Sequence, residues 1–130
     1  MNNEKIEKKK ILLVDDDEIQ HAIVEKMICD EYDLLKTTSG DEALKYLCSR
    51  DCIPDLILLD IFMPDMNGWE IFSRIKAISL LKNVHIAFFT SLHEPEDEKR
   101  AYEMGAVDFI TKPYKREDLL KRIKNIIEKD

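Results

Sequence analysis

Residues 55–68 constrain the fold of this chain more than any other stretch. Four consecutive aliphatic residues, 56–59, end abruptly at the carboxylate of Asp60. A short apolar run without alternation is typical of a strand that is buried on both faces of a parallel sheet. Pro64 and the Asn67-Gly68 pair then predict a turn before the next helix.

Apolar runs alternate with amphipathic segments along the whole chain. The predicted strands cover residues 11–14, 32–37, 56–60, 84–89 and 106–111. The predicted helices cover residues 18–30, 41–50, 69–80, 95–104 and 115–128. Alternation with connections of this length favours right-handed crossovers and a parallel sheet covered by helices on both faces. The pattern therefore predicts a single α/β domain.

Composition excludes several classes of protein. The net charge of −7 argues against a surface for nucleic acid or anionic membrane. No stretch approaches the roughly 18 apolar residues of a membrane span, and three cysteines are an odd number without a disulfide framework. We expect a reduced, cytoplasmic protein with a flexible polar leader at residues 1–9 and one domain at residues 10–129.

Polar side chains follow four of the predicted strands at the point where each strand ends. The carboxyl ends of parallel strands gather along one edge of the sheet, where ligands bind. Three carboxylates at that edge repel one another, so protonation or a hard cation has to neutralise them. Oxygen ligands with open positions suit Mg²⁺, which also holds phosphate oxygens. The residues of this edge are Asp15, Asp16, Asp60, Thr90 and Lys112.

These residue types together suit phosphoryl transfer. A carboxylate is a competent nucleophile towards phosphorus and gives an acyl phosphate. Mg²⁺, the Lys112 ammonium and the Thr90 hydroxyl would offset the charge on the three equatorial oxygens of the transition state. A single acid at a strand end is usually a cap or a turn former, so the specificity of the prediction lies in the conjunction.

At these residues the chain resembles the receiver domain of two-component response regulators. The resemblance spans about residues 10–128 and implies a flavodoxin-like doubly wound sheet of five parallel strands, order 2-1-3-4-5, with five helices. The strand order comes from the resemblance and not from the residues. The motifs that carry it are ILLVDDD at 11–17, LLDIFMPDMNG at 58–68, FFTS at 88–91 and GAVDFITKPY at 105–114.

The resemblance implies a role for each residue around the metal. Asp60 is the phosphoacceptor. Asp16 is the direct Mg²⁺ ligand, and Asp15 acts partly through water. Phe62 supplies a main-chain carbonyl to the metal, which leaves its side chain free to vary.

The resemblance also implies the phosphoryl-binding pair and a switch. Thr90 and Lys112 bind the phosphoryl group, and the Lys112–Pro113 peptide bond is cis. Phe109 stands where the family keeps a rotating aromatic residue, although Phe lacks the hydroxyl of Tyr. Phe109 alternates with Val107, so a plain core position is an equal alternative.

Two apolar positions bear on the lifetime of the acyl phosphate. In the family fold, Phe62 and Leu92 flank the route of the attacking water. Neither side chain can orient a water molecule by hydrogen bonding, and a bulky ring shields the phosphoryl group. We therefore expect slow self-hydrolysis.

The resemblance implies a signalling phosphoacceptor that promotes its own phosphorylation and dephosphorylation, and not an enzyme. The phosphodonor is a sensor histidine kinase or a histidine phosphotransfer protein. The last two helices and the fifth strand then present a changed surface to a downstream protein or a fused effector domain. A dimer that forms on phosphorylation is left open.

Other functions fit the residues less well. A haloacid-dehalogenase-type phosphatase needs a second acid two residues after its nucleophile, where this chain has Phe62. An FMN binder needs a hydroxyl- and glycine-rich phosphate loop, whereas the acids at 15–17 would repel a phosphate. The remaining alternative is a receiver-shaped interaction module that never uses phosphorylation.

Two local patterns are interpreted without a special function. Cys48 and Cys52 are one helical turn apart, and we interpret them as ordinary thiols and not as half of a metal site. The first helix is predicted to bury Ile23 and Val24 and to leave His21 on its solvated face.

Overall fold

A computed structural model describes residues 8–49 and 53–128. Within these ranges the chain forms five strands, five α-helices and a short 3₁₀ turn at Ser79–Leu81, and every helix is too short or too polar to cross a membrane. The strands are β1 (Lys9–Val14), β2 (Tyr32–Thr37), β3 (Leu56–Leu59), β4 (Ile86–Thr90) and β5 (Asp108–Thr111). The helices are α1 (Glu18–Ile28), α2 (Gly40–Cys48), α3 (Gly68–Lys76), α4 (Pro95–Met104) and α5 (Arg116–Ile127).

The strands form one sheet in the order β2-β1-β3-β4-β5, and every neighbouring pair is parallel. The predicted fold class and strand order are confirmed. Val14 pairs with Leu59, and Leu59 pairs with Phe88. The residues that follow β1 and β3 therefore lie side by side at the carboxyl edge.

Helices cover both faces of the sheet, which explains why the central strands are apolar without alternation. The side chains of β1 and β3 that face α2, α3 and α4 are Leu12, Val14, Ile57 and Leu59. Those that face α1 and α5 are Ile11, Leu13, Leu56 and Leu58. All of them are fully buried.

Some element boundaries differ from the prediction. α3 ends at Lys76 and not at residue 80, because the N–H of Ile78 bonds to the carbonyl of Ile75 and the chain tightens towards the 3₁₀ turn. β4 begins two residues later than predicted, since the N–H of Val84 still bonds back to Leu81. β1 includes Lys9, which lies inside the predicted leader, and residues 1–7 are outside the described part.

The prediction for α1 was wrong in its rotation. His21 is only 6% exposed, whereas Ile23 is 38% exposed. The Nε2 atom of His21 lies 2.7 Å from the main-chain carbonyl of Asp15, and this hydrogen bond allows the imidazole to be buried. Val24 is buried as predicted.

Cys48 is an exposed free thiol, and Cys52 lies outside the described residues.

Candidate functional site

Three carboxylates meet at the carboxyl edge of the sheet. Asp15 and Asp16 follow β1, and Asp60 follows β3; one oxygen of each lies within 4.8 Å of the others. Asp15 and Asp60 are buried, whereas Asp16 is exposed. Carboxylate oxygens are hard ligands, and the exposed side leaves positions for water. The cluster can therefore hold a divalent metal ion.

Lys112 brings a positive charge to the same place from the end of β5. Its Nζ atom lies 2.7 Å from Oδ2 of Asp15 and 3.4 Å from Oδ2 of Asp60. The Lys112 side chain is only 15% exposed, and its ammonium lies 5.1 Å from the centre of the Phe89 ring. The Lys112–Pro113 peptide bond is cis. The ammonium offsets part of the negative charge of the cluster.

The two oxygens of Asp60 have different surroundings. Oδ1 accepts the N–H groups of Ile61 at 2.7 Å and Phe62 at 3.3 Å. Oδ2 has the longer contact with Lys112. Burial raises the pKa of Asp60; the Lys112 ammonium opposes this, the Asp15 carboxylate reinforces it, and the two N–H groups lower the pKa. Of the two oxygens, Oδ2 is the less tightly held.

The turn after β1 is fixed by its own side chains. Oδ1 of Asp15 accepts the N–H of Asp17 at 2.9 Å, while Oδ2 binds Lys112. The carboxylate of Asp17 caps α1 by accepting the N–H of Ile19 at 2.9 Å. The His21 ring, near the start of α1, makes a hydrogen bond to the Asp15 carbonyl. Asp15 is thus held at both carboxylate oxygens and at its main chain.

The remaining predicted site residues differ in burial and in their local contacts. Thr90 ends β4, is fully buried, and accepts the N–H of Leu92 on its hydroxyl oxygen at 3.3 Å. Phe62 is 55% exposed, and Leu92 is half-buried. Phe109 is buried, with its ring 6.4 Å from that of Phe88.

The structure also shows contacts that no sequence pattern indicated. The carboxylate of Asp65, in the loop after β3, accepts the N–H groups of Gly40 and Asp41 at the start of α2. The Tyr114 hydroxyl donates to Oε1 of Gln20 at 3.1 Å. These partners lie 24 or more residues apart in sequence, so no local spacing could have predicted them.

With this geometry established, comparison with known proteins identifies the family. A model of the response regulator receiver domain matches residues 11–124, most of the chain. The chain belongs to the response regulator receiver family. It is accordingly a receiver domain of two-component systems.

Individual receivers agree with this assignment. The chemotaxis protein CheY of Halobacterium salinarum is 32% identical over 92% of this chain and 97% of its own length. The structure of CheY4 of Vibrio cholerae has a TM-score of 0.84 and 28% identity, covering 92% of this chain and 98% of that one. The Mn²⁺-bound form of response regulator Rcp1 has a TM-score of 0.79 and 27% identity, covering 94% and 96%.

Much longer relatives match as well. The chain spans only 25%, 15% and 9% of the length of three curated relatives, at 31–36% identity. The receiver fold therefore occurs both as a stand-alone chain and as one part of a larger protein.

Proposed function

We propose that this receiver accepts a phosphoryl group on Asp60. The observation that carries the proposal is the position of Lys112, whose ammonium lies between the carboxylates of Asp15 and Asp60. A buried carboxylate with one oxygen held by main-chain N–H groups and the other facing a cation is a positioned nucleophile. We assign the receiver domain to residues 10–129.

We further propose Mg²⁺ as the resident metal, held by Asp15, Asp16, Asp60 and the main-chain carbonyl of Phe62. The fit rests on three hard oxygen donors within 4.8 Å of one another, one of them on an exposed residue. When bound, Mg²⁺ would neutralise negative charge on the cluster and on the incoming phosphoryl oxygens.

In the transfer step, Oδ2 of Asp60 attacks phosphorus while the bond from phosphorus to the donor nitrogen breaks. Lys112 and the Thr90 hydroxyl bind the phosphoryl oxygens as the phosphorus changes partner. Burial raises the pKa of Asp60, and the neighbouring positive charge of Lys112 opposes that rise. The donor is the phosphohistidine of a sensor histidine kinase or of a histidine phosphotransfer protein.

The bound phosphoryl group draws Thr90 inward and shifts the population between two conformations. Phe109, next to Phe88 in the core, is the aromatic switch residue of this transition. The surface of α4, β5 and α5 then binds a downstream protein or a fused effector domain. We also propose a cytoplasmic location, since free Cys29 and Cys48 suit a reducing compartment.

The test is incubation with a small acyl-phosphate donor and Mg²⁺, followed by mass spectrometry. We expect one adduct of about 80 Da on Asp60, and none in Asp60→Asn or in the presence of EDTA. Absence of the adduct in the wild-type protein would leave the phosphorylation-independent interaction module as the function. Gel filtration of both forms tests whether phosphorylation pairs two copies.

A further inference from the structure

The loop between β3 and α3, residues 60–67, is fastened to a helix far away in sequence. Oδ1 of Asp65 accepts the N–H of Gly40 at 3.1 Å, and Oδ2 accepts the N–H of Asp41 at 3.0 Å. These are the first two residues of α2, where main-chain N–H groups have no partner within the helix. One carboxylate therefore joins two segments about 25 residues apart.

Helix α2 already has its own cap. The Ser39 hydroxyl accepts the N–H of Glu42 at 3.0 Å, and the Glu42 carboxylate accepts the N–H of Thr38 at 2.7 Å. This arrangement is similar to a capping box, except that the Glu42 carboxylate binds the N–H of the residue before the cap. The contact from Asp65 is thus additional, and what distinguishes it is that it holds the loop.

Close packing surrounds the contact. A Cβ atom at Gly40 would lie 2.9 Å from the Ile71 side chain and 3.3 Å from Cβ of Met66, so glycine allows the loop and α3 to approach the first turn of α2. Desolvation acts to raise the pKa of Asp65, but four main-chain N–H groups, those of Asp41 and Gly40 foremost, outweigh it and hold that pKa below its ordinary value. Asp65 is therefore ionised at neutral pH, as the contact requires.

The same loop carries the groups that the proposed transfer needs. Asp60 begins it, and its Oδ1 is held by the N–H groups of Ile61 and Phe62. Ile61 is fixed in turn by the N–H of Gly68, which donates to its carbonyl at 2.8 Å. The other end of the loop is fixed by Asn67, which caps α3. Asp65 holds the middle, three residues after the carbonyl of Phe62.

We propose that Asp65 is a positioning residue for the metal-dependent reaction. It holds the β3–α3 loop against α2 and thereby fixes the Phe62 carbonyl and the Asp60 carboxylate at the geometry that binds the metal. The proposal rests on the proposed function of Asp60. Without this contact, the loop loses its hydrogen bonds to α2 and the metal has to order it on binding, which lowers affinity.

The test compares two caps of the same helix. Asp65→Ala removes the loop contact, whereas the matched control Ser39→Ala removes a cap of α2 and leaves the loop contact in place. Mg²⁺ affinity is measured by isothermal titration calorimetry, alongside thermal unfolding in EDTA. We expect Asp65→Ala to weaken Mg²⁺ binding about tenfold, as loss of an outer contact to a metal site does, and Ser39→Ala to change it less than twofold.

A conservative variant and a kinetic measurement separate positioning from folding. Asp65→Asn keeps one acceptor oxygen, so we expect an intermediate affinity, and saturating Mg²⁺ restores most of the rate of phosphorylation by the acyl-phosphate donor. Equal Mg²⁺ affinity in the Asp65 and Ser39 variants overturns the positioning role while leaving Asp60 as the acceptor. If the wild-type protein neither binds Mg²⁺ nor gains the adduct, both proposals fail.

Discussion

The ends of β1 and β3 are adjacent in the sheet, and each presents a buried aspartate, but the two carboxylates are held differently. Both oxygens of Asp15 have short contacts, one with the N–H of Asp17 and one with Lys112. Asp60 has one short contact, from Oδ1 to the Ile61 nitrogen at 2.7 Å, and its Oδ2 is 3.4 Å from Lys112. Burial raises the pKa of Asp60. Under the proposed function, the incompletely held carboxylate is the nucleophile and the fully held one is a fixed ligand.

Removing the cation that the two aspartates share should have the largest effect on this arrangement. Lys112→Ala leaves buried carboxylates without a compensating positive charge, so we expect it to destabilise the metal-free protein by about 3 kcal/mol. Urea unfolding in EDTA at pH 7 measures the change. Lys115→Ala, an exposed neighbour, should stay within about 0.5 kcal/mol. Equal stability of the two variants would mean that Lys112 does not bind the cluster together.

The next effect concerns the proposed phosphoryl site, which the family resemblance implies is flanked by Phe62 and Leu92. Replacing both with polar side chains, Phe62→Asn with Leu92→Glu, lets water be oriented towards the phosphoryl group. We expect dephosphorylation to accelerate about tenfold, equivalent to about 1.4 kcal/mol in the barrier. Loss of the adduct with time measures the rate, and Phe62→Leu with Leu92→Met is the apolar control. An unchanged or slower rate in the polar variant contradicts the hypothesis of slow self-hydrolysis.

The sequence predicted the β1 and β3 ends better than the contacts that hold them. Apolar runs at 11–14 and 56–59 announce strands buried on both faces, and parallel strands bring their carboxyl ends together, so the meeting of Asp15, Asp16 and Asp60 follows from the residues. The strand order did not follow from the residues, since alternation alone allows several orders. The family resemblance supplied the strand order, and the structure shows the same order.

The contacts of Asp65 and of His21 were missed for a physical reason. Asp65 looks like any loop acid, because its partners are main-chain N–H groups whose availability depends on where α2 starts in space. His21 was expected in solvent because the rotation of α1 was set by its aliphatic residues. A histidine can take the inward position once a carbonyl accepts its ring N–H, and a one-dimensional pattern does not contain that carbonyl.

A smaller effect of opposite sign is expected at Asp60 itself. Its pKa is raised in the folded protein, so the native state binds more protons than the unfolded state between the two pKa values, and stability falls as pH rises through that window. Asp60→Asn removes this cost, and we expect it to stabilise the metal-free protein at pH 7 by about 1 kcal/mol. Unfolding in EDTA from pH 3 to 8 should show the gain vanishing at the acid end. A variant less stable than wild type at pH 7 would show that the ionised Asp60 carboxylate does not destabilise the folded protein.

The smallest effect should come from the β1 side, because its turn is held at several points. Tyr114→Phe removes the hydrogen bond to Gln20, and we expect it to lower the free energy of unfolding by about 0.5 kcal/mol with unchanged Mg²⁺ affinity.

The same tyrosine gives the stability a pH dependence. Burial first, and then the Asp15 carboxylate, raises the pKa of Tyr114 to about 12. The unfolded tyrosine therefore ionises first, near its ordinary value of about 10, and wild-type stability falls between these two pH values while that component is absent from the variant. Parallel denaturation curves at pH 7 and pH 11 measure whether the gap closes. If Tyr114→Phe instead weakens Mg²⁺ binding as much as Asp65→Ala, the β1 turn is not held redundantly, and the contrast between the two strand ends is lost.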